Sequence, residues 1–336
     1  MNRRKFIAAG GLGAFAASAL AQTPPPAGTP PPAGAAPAAG RGGRGGANFI
    51  PVPPETPPQQ IIPLWPGHAP GGESIEVTNP PQWPTNTRNI LTPMIGVYRP
   101  ANPDGTSIVC CPGGGYVGLT MPNEGSVIAK NFNADRTTVF VLVYRLPGQG
   151  WKDRSKVPLQ DVQRAMRVVR SRANDYNIDP NKVGVMGFSA GGHLAGSLAI
   201  FHGEKVYEPV DAADSQSAKP AFAALGYPVI TLKAPFAHAG SRNALLGPDA
   251  SEALIASRSL ELCVNEDTAP CFLVHGMDDR LVPVENSLMM LAALREKKVK
   301  CEAHIFQLGR HGFNVGIQGE PNQHWTAMFS DWMRAL

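Results

Sequence analysis

The sequence predicts an α/β fold with a mainly parallel central sheet flanked by helices. Two observations carry this. Short apolar runs rich in β-branched residues alternate with stretches of helical period, the pattern of strands joined by crossover helices. Several of the runs also end abruptly in glycine-rich turns, at Pro112–Gly115, Gly187–Gly192 and Gly309–Gly312, and loops at strand ends are where α/β proteins place their chemistry.

The elements follow in order. Ser107–Cys111 reads as a strand ending in Pro112, Gly113, Gly114 and Gly115, and Asn123–Asn133 as a helix leading to a strand over Thr138–Tyr144. From Leu159 to Tyr176, Val162, Ala165, Met166, Val169 and Ala173 recur at three and four residues, which puts one apolar face on a helix. Lys182–Met186 is a strand running into Gly187–Gly192, and His193–Phe201 continues as a helix. Ala221–Tyr227, Pro270–His275 and Glu302–Leu308 are further strands, with an amphipathic helix over Val284–Lys297. His324–Leu336 closes the chain as a helix whose stripe of Trp325, Met328, Phe329 and Trp332 belongs in the core. Between Tyr227 and Pro270 there is room for one or two short helices and not for a large cap domain, so the active site should be open.

The 336 residues do not all belong to this core. Arg3, Arg4 and Lys5 precede an apolar run, Phe6–Leu20, too short for a mature membrane span. Ala19, Leu20 and Ala21 give the small-x-small pattern cut by signal peptidase. Residues 1–21 therefore read as a signal peptide, twin-arginine-like from the arginine pair, and the mature protein as exported, periplasmic or secreted, without stable membrane insertion. Residues 22–58, dominated by Pro, Ala and Gly, read as a disordered tether, and residues 59–336 as one catalytic domain.

The formal charge of +4 is an artefact of the leader: removing Arg3, Arg4, Lys5, Arg41 and Arg44 leaves 25 basic against 26 acidic residues. A nucleic-acid partner is thereby disfavoured. Of the five cysteines, Cys110, Cys111, Cys271 and Cys301 lie in apolar runs, where a thiol behaves as a small hydrophobe. Cys263 and Cys271 are the closest separated pair, but no connectivity follows from sequence. There is no C-x-x-C pattern and no clustered histidine spacing, so no metal and no cofactor are expected.

Gly187, Ser189 and Gly191 spell G-x-S-x-G at a strand-to-helix junction. That context is the informative part, because the nucleophile must sit on a sharp turn where side chains two residues to either side would collide with the adjoining strand and helix. A serine hydroxyl needs a base at neutral pH. His311 follows the last strand in a loop whose glycines let the imidazole reach across the sheet, and it is the candidate. The acid should follow the strand ending at His275; of Asp278 and Asp279, the spacing H-G-x-x-D-x-x-V-P favours Asp279 as the residue that orients His311. The chain order Ser, acid, His is that of the α/β-hydrolase fold. An oxyanion hole is expected from the Ala190 backbone N–H together with the glycine loop, through Gly113 and Gly114. Tyr116 is the candidate substrate-binding residue, lining the acyl pocket, with a core role as its alternative. His193 and His275 read as packed residues, Asp161 as a helix-start acid, and Arg164 as a solvated or paired base.

These motifs resemble those of the acetyl-ester and xylan esterases of the α/β-hydrolase superfamily. The resemblance rests on P-G-G-G-Y at Pro112–Tyr116, Y-R-L at Tyr144–Leu146, G-F-S-A-G-G-H-L-A at Gly187–Ala195, H-G-M-D-D-R-L-V-P at His275–Pro283, Gly309–Phe313, and Leu245, Leu246, Gly247. It runs from about Gly96 to Leu336. Pro112 stands where related esterases commonly carry His before the glycines, a departure that weakens assignment to the hormone-sensitive-lipase-like branch and leaves the mechanism standing. The resemblance implies a small acyl ester or an acetylated polysaccharide such as xylan as substrate. Two other classes compete: a serine exopeptidase or amidase, which would normally bring a further domain, and a non-catalytic binding protein on the same scaffold, which would normally lack a triad member.

Overall fold

The computed structural model describes residues 56–73, 83–84 and 87–336. The signal-peptide reading and nearly all of the tether reading lie outside them. Just before Gln59, the Thr56 carbonyl accepts a hydrogen bond from the Tyr98 hydroxyl at 2.9 Å.

Eight strands form one sheet: β1 (Gln60–Pro63), β2 (Met94–Tyr98), β3 (Ser107–Cys111), β4 (Thr138–Val143), β5 (Val183–Phe188), β6 (Ala223–Gly226), β7 (Cys271–Gly276) and β8 (Cys301–Phe306). Their spatial order is β1-β2-β4-β3-β5-β6-β7-β8. The pairs β1 with β2 and β2 with β4 are antiparallel, and every other pair is parallel. This is the mainly parallel sheet of the α/β-hydrolase fold. β3, β4 and β5 are wholly buried runs, as parallel strands covered on both faces must be.

The helices are α1 (Val127–Ala134), α2 (Val157–Ser171), α3 (Ala173–Tyr176), α4 (Ala190–Phe201), α5 (Ala239–Leu246), α6 (Glu252–Arg258), α7 (Glu285–Glu296) and α8 (Trp325–Arg334). α1 and α8 share a layer, with Phe132 edge-on to Trp325 and Phe329, so the aromatic stripe of α8 is core. The helix expected over Leu159–Tyr176 is interrupted at Arg172, which leaves the single turn α3, closed by Asn177 at φ 52°. The segment between β6 and β7 holds only α5, α6 and a short 3-10 turn, so this segment supplies no large cap.

Asp161, read as a helix-start acid, and Arg164, read as a solvated or paired base, are both internal, and Arg164 is the paired one of its two readings. Asp161 is fully buried; its carboxylate accepts from the Arg145 guanidinium, the Arg145 backbone N–H and the Trp65 indole. Arg164 is also buried and pairs with Asp211 and Asp214 while donating to the Leu64 carbonyl. Helical periodicity marks apolar faces, so polar residues turned inward to satisfy one another stay invisible to it. Within Y-R-L, the Tyr144 hydroxyl donates to the Pro112 carbonyl at 2.7 Å and Arg145 anchors the next residue to α2, so the motif buttresses the glycine loop.

Candidate active site

The parallel strands deliver their carboxyl ends to one edge of the sheet. β3 has β4 on one side and β5 on the other, so the order of the chain reverses there, and the crevice at such a reversal is where α/β proteins bind ligands. Ser189 follows β5, the glycine loop follows β3, Asp279 follows β7 and His311 follows β8.

Ser189 occupies the turn between β5 and α4 with φ 53° and ψ −121°, a conformation that L-residues avoid. The reason for G-x-S-x-G is visible in the packing. A Cβ on Gly187 would stand 2.0 Å from the Gly191 carbonyl oxygen, and one on Gly191 would stand 2.1 Å from the Cys111 carbonyl oxygen. Only glycines allow the turn to close against β3.

His311 Nε2 lies 2.9 Å from Ser189 Oγ, and His311 Nδ1 lies 2.7 Å from Asp279 Oδ2. The three sequence candidates therefore form one continuous hydrogen-bonded chain. The two neighbouring aspartates have separate partners: Asp278 Oδ1 accepts the backbone N–H groups of Gly309 and Arg310, both at 2.7 Å, and so holds the loop that carries His311. Asp279 Oδ1 accepts from the backbone N–H groups of Leu281 and Val282, both at 2.9 Å. Burial would raise the Asp279 pKa, but hydrogen bonds from His275 and His311 outweigh it and hold the carboxyl well below the usual range.

The oxyanion assignment needs one correction. The Gly113 N–H is already bonded, at 2.7 Å, to Oε2 of the buried Glu124, so it has no hydrogen to offer a substrate. Gly114 carries the next N–H in the loop, and no acceptor takes it among the described residues. Ala190 heads α4, where an N–H has no partner within its own helix. Both stay candidates for the oxyanion role, and the Gly115 N–H has no acceptor among the described residues either. Glu124 also accepts from the Thr120 hydroxyl and, at 2.8 Å, from the Tyr227 hydroxyl. The Tyr227 ring in turn meets the His311 imidazole edge-on at 5.0 Å.

Tyr116 also needs correcting. It is 2% exposed and its hydroxyl is 2.9 Å from His193 Nδ1, so it lies behind the site and is a core residue rather than a wall of the acyl pocket. His193 Nε2 faces the Arg258 carbonyl and must carry the hydrogen, which leaves Nδ1 to accept from Tyr116. Burial lowers the His193 pKa to about 4, so it is neutral at physiological pH.

Sequence reasoning missed Glu124, Tyr227 and His238. A carboxylate in the otherwise uncharged run Val117–Ala129 after P-G-G-G-Y was the available signal for the first. His238, in the segment between β6 and α5, is half-buried; burial and the charge of His311 both lower its pKa, so it stands near the base. No group of three His, Cys, Asp or Glu side chains among the described residues could hold a metal ion, and all five cysteines are free thiols.

With this geometry the comparisons have a clear meaning. The BD-FAE family model matches residues 95–294. The chain belongs to the BD-FAE family. An acetylxylan esterase of Xylanibacter ruminicola is 33% identical over 243 residues, 71% of this chain and 47% of its own length. Endo-1,4-beta-xylanase B of Butyrivibrio fibrisolvens is 39% identical over 204 residues, 61% of this chain and 32% of its own. The chain thus spans about a third to a half of these curated relatives. Among solved structures, an acetyl ester-xyloside bifunctional hydrolase from Caldicellulosiruptor lactoaceticus matches with a TM-score of 0.70 and 36% identity, covering 83% of this chain and 97% of that one.

Proposed function

We propose that this BD-FAE family member is a serine carboxylic-ester hydrolase that removes short acyl groups, acetyl foremost, from carbohydrate such as xylan. The observation that carries the proposal is the unbroken Ser189–His311–Asp279 hydrogen-bonded chain, with Ser189 on a strained turn at the head of α4. Ser189 Oγ attacks the ester carbonyl while His311 Nε2 takes its proton, and Asp279 stabilises the imidazolium. The oxyanion accepts hydrogen bonds from the Ala190 and Gly114 N–H groups. Collapse expels the alcohol, which leaves with the proton from His311, and the acyl group stays on Ser189. Water, deprotonated by the same histidine, then releases the acid.

The choice of substrate rests on the relatives, two of which are named for acetyl-ester or acetylxylan hydrolysis, and on the small segment between β6 and β7. α5 and α6 offer little apolar surface to cover a long acyl chain, and each methylene left in water forfeits about 0.8 kcal/mol. We also propose export, on the arginine pair, the apolar run and the Ala19–Ala21 site. No helix among the described residues is long and apolar enough to cross a membrane.

An acyl series tests the reading. Acetyl and propionyl esters are expected to turn over faster than octanoyl esters of the same alcohol, with acetate released from acetylated xylan. Faster octanoyl hydrolysis would make the enzyme lipase-like, and cleavage of a peptide anilide with no ester turnover would make it a peptidase.

A further inference from the structure

The Asp279 carboxylate binds two imidazoles. His275, the penultimate residue of β7, is fully buried, and its Nε2 lies 3.2 Å from Asp279 Oδ2, the same oxygen that receives His311 Nδ1. That Nε2 is also 3.0 Å from the Val282 carbonyl oxygen. A carbonyl can only accept, so Nε2 carries the hydrogen and His275 is held in one tautomer. Its Nδ1 is then the acceptor, and the Ser287 hydroxyl donates to it at 2.8 Å. A histidine that served packing alone would need one acceptor for its N–H, and the Val282 carbonyl already supplies one. Contact with the carboxylate that holds the base goes further than packing requires.

We propose that His275 is a positioning residue: its N–H fixes the Asp279 carboxylate and limits how strongly that carboxylate draws a proton onto His311. The inference rests on the catalytic roles proposed above. With Leu281 and Val282 on Oδ1 and two imidazoles on Oδ2, Asp279 is held by four donors and cannot rotate away from His311. Donors to a carboxylate stabilise its charged form and lower its basicity. Removing the His275 donor therefore leaves a more basic carboxylate, which stabilises the His311 imidazolium more and raises the pKa of His311. The other groups facing His311 do not touch His275: the Ser189 hydroxyl after β5, Tyr227 after β6 with Glu124 behind it, and His238 before α5. Arg310 adjoins His311 on its own loop, and Asp278 binds the Arg310 backbone N–H.

The test is the pH dependence of kcat/KM for a short acyl ester in wild type, His275→Leu and His275→Gln. The acid limb reports the free-enzyme base. In His275→Leu it should move to higher pH by about half a unit to one unit, and His275→Gln, whose amide N–H reaches the same oxygen, should bring it back. A folded Leu variant whose limb stays at the wild-type pH, or Gln and Leu variants that behave alike, would overturn the proposal. Should the Leu variant fail to fold, nitrogen-15 NMR of histidine-labelled wild type decides. His275 must carry its hydrogen on Nε2 with Nδ1 accepting from Ser287, and the Nδ1–H tautomer would refute the idea. NMR needs no turnover, so a wild-type protein inert to every ester would count against the proposed function and not against this tautomer.

Discussion

The two halves of the site are built differently. On the base side, Asp279 and His311 meet side chain to side chain, and the proposed chemistry needs the carboxylate's charge at the moment the imidazolium forms. On the oxyanion side the working parts are backbone N–H groups, and the buried Glu124 behind them holds Gly113, Thr120 and Tyr227 as an acceptor. The first half should be intolerant of a neutral isostere and the second tolerant of one, since a glutamine carbonyl can still accept from Gly113.

The largest expected effect lies where the halves meet. Ser189→Ala should lower kcat for a short acyl ester by about a millionfold while leaving the melting temperature close to wild type, measured by calorimetry. Activity near wild type would remove Ser189 from the chemistry.

Asp279→Asn should lower kcat/KM by about ten-thousandfold. Asp278→Asn should cost about tenfold, the scale of one weakened hydrogen bond, because an amide oxygen still receives the Gly309 and Arg310 N–H groups. A purified pair ranked the other way would give the orienting role to Asp278.

Glu124→Leu should lower kcat by about ten- to a hundredfold with KM little changed, the scale of leaving the buried Gly113 N–H unbonded. Glu124→Gln should recover most of that loss, since the Thr120 and Tyr227 hydroxyls can reverse their roles and a backbone N–H cannot. Equal damage from both variants would mean that the oxyanion side also depends on charge, and the contrast between the halves would fail.

The last effect is on stability. His193 has its folded pKa lowered by burial from 6.5 to about 4, so the unfolded chain binds more protons at that residue between those values. Its contribution is complete above about pH 6.5 and is lost as the pH falls toward 4, by about 3 kcal/mol in all. Urea unfolding of wild type and His193→Gln at several pH values should show a steeper acid loss in wild type, and parallel curves would exclude the assignment.

Legibility followed whether the cause was local. Ser189 could be read because the close approach of Gly187 and Gly191 to neighbouring backbone is encoded within five residues. The parallel strands could be read from their continuous apolar runs. β1 and β2 could not: QIIP and MIGVY are short and interrupted by proline or glycine; β2 is a strand because β4 pairs with it from elsewhere in the chain, and β1 because it pairs with β2 in turn. The same holds for Glu124, His275 and Asp161, whose meaning lies in partners distant in sequence or in a turn geometry that spacing does not specify. Gly113 was assigned a free N–H that Glu124 already holds, and of the two readings of Tyr116 its burial fits the core one, because sequence identifies a loop without saying which of its groups are already bonded.

The most direct test of the central claim is acetate release from acetylated xylan by the purified protein, run beside Ser189→Ala and beside wild type labelled with a fluorophosphonate. The account predicts release by wild type, none by either of the others, and mass spectrometry placing the label on Ser189. Acetate release that survives loss of Ser189, or a label on another residue, would contradict it.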